Sequence, residues 1–213
     1  MWKEYSDYLY YKLNLDVVDV NHALGKKDSI LASGVYSGDH ILKSRATIIT
    51  AGATEIYNNI VYPKTGSNLP CFGMDLMCFF EKKVVVVFDF QHPTPNYDWN
   101  NPFMMCNLGE MLDNSPKDIR FFEPGNHFSR YIYVRKCTVD EIPNYLDDFK
   151  KYVDVYKELL DVTKPTGEDV TVYRDFDTYM LSLDPVAGYL GSKFGKEFSE
   201  HYVKQFLFSY ASV

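Results

Sequence analysis

The sequence predicts an α+β domain built on a central antiparallel β-sheet, and three observations carry that prediction. Residues from Leu31 to Phe90 read as successive strands, Ile41 to Thr50, Glu55 to Tyr62, Cys71 to Phe80 and Lys82 to Phe90, parted by Gly, Pro, Asn or charged turns. The connections are too short for crossovers, so neighbouring strands pair antiparallel. The run Val84 to Phe88 is apolar at every position, as a central strand covered by helices on both faces would be.

The elements follow in order. Trp2, Tyr5 and Leu9 fall near helical spacing and predict a short amphipathic helix over the first ten or so residues. The strands above come next. Thr94 to Lys117 is rich in Pro and Asn without a clear period and reads as a long surface loop. Arg130 to Arg135 returns as a strand. Val139 to Leu160 reads as a helix whose apolar stripe is Ile142, Tyr145, Leu146, Phe149, Val153, Tyr156 and Leu160. Thr163 to Thr171 is a Pro/Gly turn region. Two further helices occupy Tyr173 to Leu183 and Val186 to Phe208, with Asp184-Pro185 between them. No repeat, linker or second domain is apparent, so residues 1–213 form one domain.

Composition narrows the function classes. A net charge of −7, with no basic run or Arg-rich stripe, argues against nucleic-acid binding. No apolar segment approaches the roughly 20 residues of a membrane span, and Met1-Trp2-Lys3-Glu4 begins neither a signal peptide nor a transit peptide. A cytoplasmic monomer is expected. Cys71, Cys78, Cys106 and Cys137 form no C-x-x-C pair, which supports neither zinc nor an iron–sulfur cluster, and they read as reduced, mostly buried thiols. Eighteen Tyr and 15 Phe residues permit a pocket for a flat conjugated ligand, although aromatic side chains more often simply fill cores.

Chemistry concentrates at Leu69-Pro70-Cys71-Phe72-Gly73-Met74-Asp75-Leu76-Met77. Strand alternation puts Phe72, Met74 and Leu76 on one side and Gly73, Asp75 and Met77 on the other, beside a residue with no side chain. An ionised carboxylate there is costly unless paired, hydrogen-bonded or protonated, and a carboxyl kept protonated is what a proton-donating enzyme needs. The competing reading is a structural aspartate that caps a turn or pairs with a core arginine. Asp184 is likewise ambiguous, since Asp before Pro at a helix opening is a good N-cap. Among the histidines, His22, His40 and His201 read as ordinary hydrogen-bonding residues.

Several long words then occur in a telling order. These are Ile56-Tyr57-Asn58-Asn59-Ile60-Val61-Tyr62-Pro63-Lys64-Thr65-Gly66, the Leu69 to Met77 word, and Phe88-Asp89-Phe90-Gln91-His92-Pro93. Arg120 to Ser129, Phe176 to Met180, Leu183-Asp184-Pro185, Lys193-Phe194-Gly195 and Phe206 to Tyr210 continue the series. Together they resemble the ferredoxin-dependent bilin reductases over nearly the whole chain, and within that family most resemble its phage-type phycoerythrobilin synthases.

The resemblance implies a three-layer α/β/α sandwich holding an open-chain tetrapyrrole between sheet and helices. It implies no cofactor of the enzyme's own, with electrons supplied by an external [2Fe-2S] ferredoxin. Asp75 would protonate the bilin near its pyrrole nitrogens, and Asp184 would be a second carboxylate serving the A-ring. Asn58 stands where the phycocyanobilin-forming branch has a histidine, and an amide cannot deliver that proton. Met74 and Phe90 would flank the bilin plane, His127 and His92 would belong to the pocket, and Ser129 and Arg130 would hold a propionate. An acidic ferredoxin needs a basic face, for which Lys26, Lys27, Lys43, Arg45, Lys64, Lys193 and Lys196 are available.

The implied reaction takes biliverdin IXα through 15,16-dihydrobiliverdin to phycoerythrobilin, in a host cytosol if the gene is phage-borne. A single-step bilin reductase, acting on biliverdin or on dihydrobiliverdin, is the alternative. A bilin carrier or chromophore lyase is another class, which would not need two positioned carboxylates.

Overall fold

Seven strands lie in chain order across one antiparallel sheet: β1 (Asp16–Leu24), β2 (Ile30–Ser37), β3 (Ile41–Ala51), β4 (Thr54–Pro63), β5 (Cys71–Phe79), β6 (Lys83–Gln91) and β7 (Tyr133–Cys137). The structure, a computed structural model, describes residues 1–109, 125–183 and 186–211. Among the described residues six α-helices accompany the sheet: α1 (Lys3–Leu13), α2 (Pro102–Leu108), α3 (Leu146–Thr163), α4 (Arg174–Leu183), α5 (Val186–Phe194) and α6 (Lys196–Tyr202).

Strand alternation sorts the sheet into two faces. Phe72, Met74, Leu76, Val84, Val86, Phe88 and Phe90 join α1, α2 and α3 in the largest core. There Phe88 stacks on Tyr133 with ring centroids 4.3 Å apart, and Phe90 on Tyr152 at 5.5 Å. On the opposite face, Leu31 and Ile49 meet α5 and α6, Ile60, Tyr62 and Cys71 meet α4, and Val85, Val87 and Val134 pack with Phe128 and Ile132. The result is the three-layer α/β/α sandwich, with the valine run of β6 covered on both sides.

Several elements differ from expectation for local reasons. β1, exposed over nearly its whole length, carries no apolar alternation that would reveal it. The last strand starts at Tyr133, because the preceding turn is taken up by the Ser129 hydroxyl, which accepts from the Tyr131 N–H at 2.9 Å. The predicted loop from Thr94 contains α2, opened by Pro102 and capped by Asn101, whose Oδ1 accepts from the Met104 N–H at 3.2 Å. Residues 110–117 of that stretch lie outside the described residues. Pro143 keeps Val139–Tyr145 in a 3₁₀ turn, so α3 proper begins at Leu146. The last predicted helix is two, broken at Gly195, whose φ of 99° only glycine adopts easily, and α6 runs on into a π-helical turn, Val203–Leu207. Cys71 and Cys78 are buried, whereas Cys106 is exposed and Cys137 half-buried.

The β5–β6 hairpin carries the site and turns through Phe80 and Glu81, both at positive φ (56° and 53°), with the Lys82 N–H donating to the Phe79 carbonyl at 3.1 Å. This turn favours Asn-Gly, and L-residues held there cost roughly 1 kcal/mol or more each. Replacing both (Phe80→Asn with Glu81→Gly) should therefore stabilise the protein by about 1–2 kcal/mol. A raised urea midpoint checks this; an unchanged or lowered one would show that the turn stores no strain.

Candidate active site

The register of the sheet lines up the polar residues opposite the helical cover of α4, α5 and α6. Thr47 pairs with Asn58, Asn58 with Asp75 and Asp75 with Val87, forming one row across β3 to β6. The adjacent row is Arg45, Ile60, Gly73 and Asp89. Residues two apart on each strand share a face, so both rows look the same way.

Asp75 is half-buried, and its Oδ1 accepts a hydrogen bond from the Asn58 Nδ2–H at 2.5 Å. The Asn58 Oδ1 in turn accepts from the Arg45 Nη1–H at 3.0 Å. A core arginine thus does stand behind Asp75, but one residue removed. Asn58 orients the carboxyl and has no titratable proton to exchange with it.

Asp89, on the same face, is 1% exposed. Its carboxylate accepts from the Ser129 N–H at 3.0 Å and from the Ser129 hydroxyl in a short contact. Burial pushes this carboxyl well above its ordinary value, against the opposing pull of the Ser129 and Phe90 hydrogen bonds. The space over Gly73 is filled by the side-chain amide of Gln91, which would lie 2.8 Å from any Cβ placed there. The buried Gln91 Oε1 has no hydrogen-bond partner.

Two cations complete the face. Arg45 is 3% exposed, 5.3 Å from the Phe208 ring centroid, and its Nε has no partner. Lys43, 1% exposed, donates to the Ser209 carbonyl at 2.5 Å and lies 4.8 Å from the Tyr62 ring centroid. Burial lowers the Lys43 ammonium to about 8, with the Asp177 charge opposing and the Arg45 charge adding to the shift. Asp177 on α4 accepts from the Tyr62 hydroxyl at 2.7 Å, while its buried Oδ2 has no partner. Burial raises its carboxyl despite the Tyr62 hydrogen bond, Arg45 and Lys43. Above this face Tyr202 of α6 meets Thr47, hydroxyl to hydroxyl, at 2.8 Å.

The residues singled out in the sequence separate accordingly. Asn58 and Asp75 are brought together. Met74 and Phe90 are not: both lie on the opposite face, in the core against α1 to α3, because each is one residue out of step with the polar row. His127 is buried on the α4 side, its Nδ1–H donating to the His92 carbonyl at 2.7 Å and its ring 4.8 Å from that of Tyr179. His92 stacks on Tyr97 at 3.7 Å, and burial lowers its imidazole to about 4, so it stays neutral. The Ser129 hydroxyl is engaged by Asp89, and Arg130 is exposed, with its guanidinium 6.0 Å from the Tyr131 ring centroid. Asp184 lies outside the described residues. Lys43 and Arg45 are buried, so neither belongs to a docking surface. Arg45, Asp89, Gln91 and Asp177 were not singled out for the site, although counting by twos from Asp75 along β5 and across the hairpin leads to Asp89 and Gln91.

Comparison with known proteins agrees with this architecture. A family model described as ferredoxin-dependent bilin reductase matches residues 1–209. A protein of Nostoc punctiforme is 26% identical over 197 residues, covering 86% of this chain and 80% of its own, and one of Gloeobacter violaceus is 27% identical over 196 residues, with the same coverages. A third, from Synechococcus sp. (strain CC9605), is 26% identical over 210 residues, covering 90% of this chain and 89% of its own. All three bear the name 15,16-dihydrobiliverdin:ferredoxin oxidoreductase. The crystal structure of selenomethionine phytochromobilin synthase from tomato in complex with biliverdin superposes with a TM-score of 0.79, at 16% identity, over 99% of this chain and 83% of that one. At that identity the likeness is one of fold.

The buried acid of this face gives a pH test. A carboxyl whose pKa is raised by folding stabilises the fold fully below its unfolded value near 4, and that contribution is lost as pH rises through the folded value. Asp89→Asn removes this titration. Urea unfolding at pH 5 and pH 8 should show the variant gaining on the wild type as pH rises; a constant gap would mean that Asp89 does not hold its proton.

Proposed function

The chain belongs to the ferredoxin-dependent bilin reductase family, and from that premise we propose that it carries biliverdin IXα through 15,16-dihydrobiliverdin to phycoerythrobilin, with Asp75 as a proton donor. Electrons come from an external ferredoxin, as the family requires. The observation that carries the reading is the Asp75 carboxyl, held by Asn58 on a sheet face roofed by α4 to α6.

Each reduction adds a pair of electrons and a pair of protons to the bilin. Ferredoxin delivers electrons singly, so charge builds on the conjugated system unless a proton follows. A carboxyl within reach of the pyrrole nitrogens meets that need as a general acid. Its conjugate base is then stabilised by the Asn58 N–H, which donates to the ionised form. Reduction of the bridge between the C and D rings is the Asp75 step in this scheme. Asp184, at the join of α4 and α5, serves the A-ring. Among the cations named for ferredoxin docking, Lys26, Lys27 and Lys196 are exposed and Lys64 and Lys193 half-buried, and these five form the basic side in this reading.

A second reading is favoured by the relatives' shared name: a single-step reductase with 15,16-dihydrobiliverdin on one side of its reaction. Anaerobic turnover with reduced ferredoxin separates the two. Phycoerythrobilin from biliverdin supports the first, whereas a halt at dihydrobiliverdin, or activity on dihydrobiliverdin alone, selects the second.

Two substitutions test the donors. Asp75→Asn should still bind biliverdin while kcat falls roughly 10²–10⁴-fold, the scale of a lost general acid. Near-normal turnover would remove Asp75 from the mechanism. Asp184→Asn keeps any helix cap, since Asn and Asp cap almost equally, but loses the acid proton. It should accumulate 15,16-dihydrobiliverdin; complete conversion to phycoerythrobilin by this variant would leave Asp184 a cap and nothing more.

A further inference from the structure

Arg45 is a fully charged side chain in the interior of the sheet face, and no ion pair within 4 Å to a carboxylate accounts for it among the described residues. What it does hold is an amide. Its Nη1–H donates to the Asn58 Oδ1 at 3.0 Å, and the Asn58 Nδ2–H donates onward to the Asp75 Oδ1 at 2.5 Å. We propose that Arg45 is a positioning residue for the Asp75 carboxyl, acting through the Asn58 amide. The proposal rests on the reading of Asp75 as the donor.

The physical argument is one of amide orientation. Asn58 could present either end to Asp75. With the guanidinium on one side, which has donors and no acceptor, the carbonyl oxygen turns to Arg45 and only the N–H end faces the carboxyl. A donor of that kind favours the ionised form, the state Asp75 reaches after giving up its proton. The guanidinium also polarises the amide, strengthening its N–H as a donor in surroundings of low dielectric. A guanidinium supplies a constant bias and no switch.

Among the described residues, the other ionisable groups on this side include Lys43 from β3, Tyr62 from β4, Cys71 from β5, Asp89 from β6, His127, whose Nδ1–H donates to the His92 carbonyl, Tyr173, whose hydroxyl donates to the Pro63 carbonyl, Asp177 and Tyr179 from α4, Tyr189 from α5 and Tyr202 from α6. Lys43 donates to the Ser209 carbonyl, Asp89 accepts from Ser129, Asp177 accepts from Tyr62 and Tyr202 meets Thr47. Tyr179 accepts from the Asn126 Nδ2–H at 3.2 Å, and burial pushes the Cys71 thiol well up, keeping it neutral. Each of these therefore has its own partner or no charge, whereas Arg45 is linked to Asp75 through a continuous pair of hydrogen bonds.

The test is a pH–rate profile. An enzyme that uses Asp75 as an acid loses activity as pH rises past the value of that carboxyl. Arg45→Met keeps bulk and removes both the charge and the donor. Its descending limb should move up by roughly one pH unit, and kcat on the plateau should drop about tenfold with the KM for biliverdin unchanged within about twofold. Arg45→Lys, which keeps the charge without the planar fork, should shift less in the same direction. In an Asn58→Leu background, Arg45→Met should add no further shift, because the path it acts through is gone.

An unmoved limb in both Arg45 variants overturns the assignment. So does an Arg45→Met shift that persists without Asn58, and so does loss of biliverdin binding, which would make Arg45 a binding residue. Should Arg45→Met fail to fold, Arg45→Lys decides alone, since it preserves the buried charge. Failure of the donor reading looks different: Asp75→Asn would then turn over normally, whereas failure of the Arg45 assignment leaves Asp75→Asn impaired.

Discussion

Two cations kept out of water set the terms on which this face of the sheet exists. Removing an ammonium or guanidinium from solvent costs several kcal/mol unless other groups replace the lost hydration. For Lys43 the replacements are the Ser209 carbonyl and the face of Tyr62; for Arg45 they are the Asn58 amide and the face of Phe208. The Asp177 charge from α4 acts on both. These partners come from β4, from α4 and from the chain after the final helical turn, so the C-terminal layer is bound to the sheet by electrostatic need as well as by apolar contact. Truncating that layer would strip partners from charges already paid for by burial.

The opposite face is built on a different principle. Phe72, Phe88, Phe90, Phe149, Tyr152 and Tyr156 interlock there, and their hydroxyls find fixed acceptors: Tyr152 donates to the Tyr131 carbonyl at 2.6 Å and Tyr156 to the Pro70 carbonyl at 3.1 Å. Such a core has few alternatives and holds β4, β5 and β6 in a fixed register. The polar face, by contrast, keeps acceptors and donors without partners, among them Arg45 Nε, Gln91 Oε1 and Asp177 Oδ2. Buried polar atoms left unpaired are costly, and three of them share this face. Rigidity on one side of the sheet is what allows that cost to be carried on the other.

Much of this was legible in the sequence, and the failures have a common origin. The order of strands β3 to β6, the helical cover and the position of Asp75 all follow from periodicity, because long alternating segments leave little choice. The same alternation excludes Met74 and Phe90 from the face of Asp75, since Met74 is its immediate neighbour on β5 and Phe90 pairs with Phe72, an odd number of residues from Asp75 on that strand. Family likeness pulled them in where geometry puts them out. Lys43 and Arg45 misled for the converse reason: a charged residue in a strand reads as surface, and only the register with Tyr62 and Ile60 shows that their side lies beneath helices. Asp89 was hidden within an apolar word, and its partner Ser129 is forty residues away. Such long-range pairing leaves no local trace.

The amide at position 58 has a consequence for how protons travel. A residue that titrated there could refill Asp75 from within the sheet; Asn58 cannot, and Arg45 behind it never releases a proton. Burial pushes the Asp89 carboxyl up, but that group is bound to Ser129 and shielded from solvent. The proposed pair of successive reductions nevertheless calls for repeated protonation of the substrate. Asp75 differs from Asp89 in being half-buried, so solvent reaches its carboxyl, from which the proposed donor could be recharged. Partial exposure, a flaw in a purely structural carboxylate, suits the proposed donor, and it distinguishes Asp75 from Asp89 on the adjoining strand.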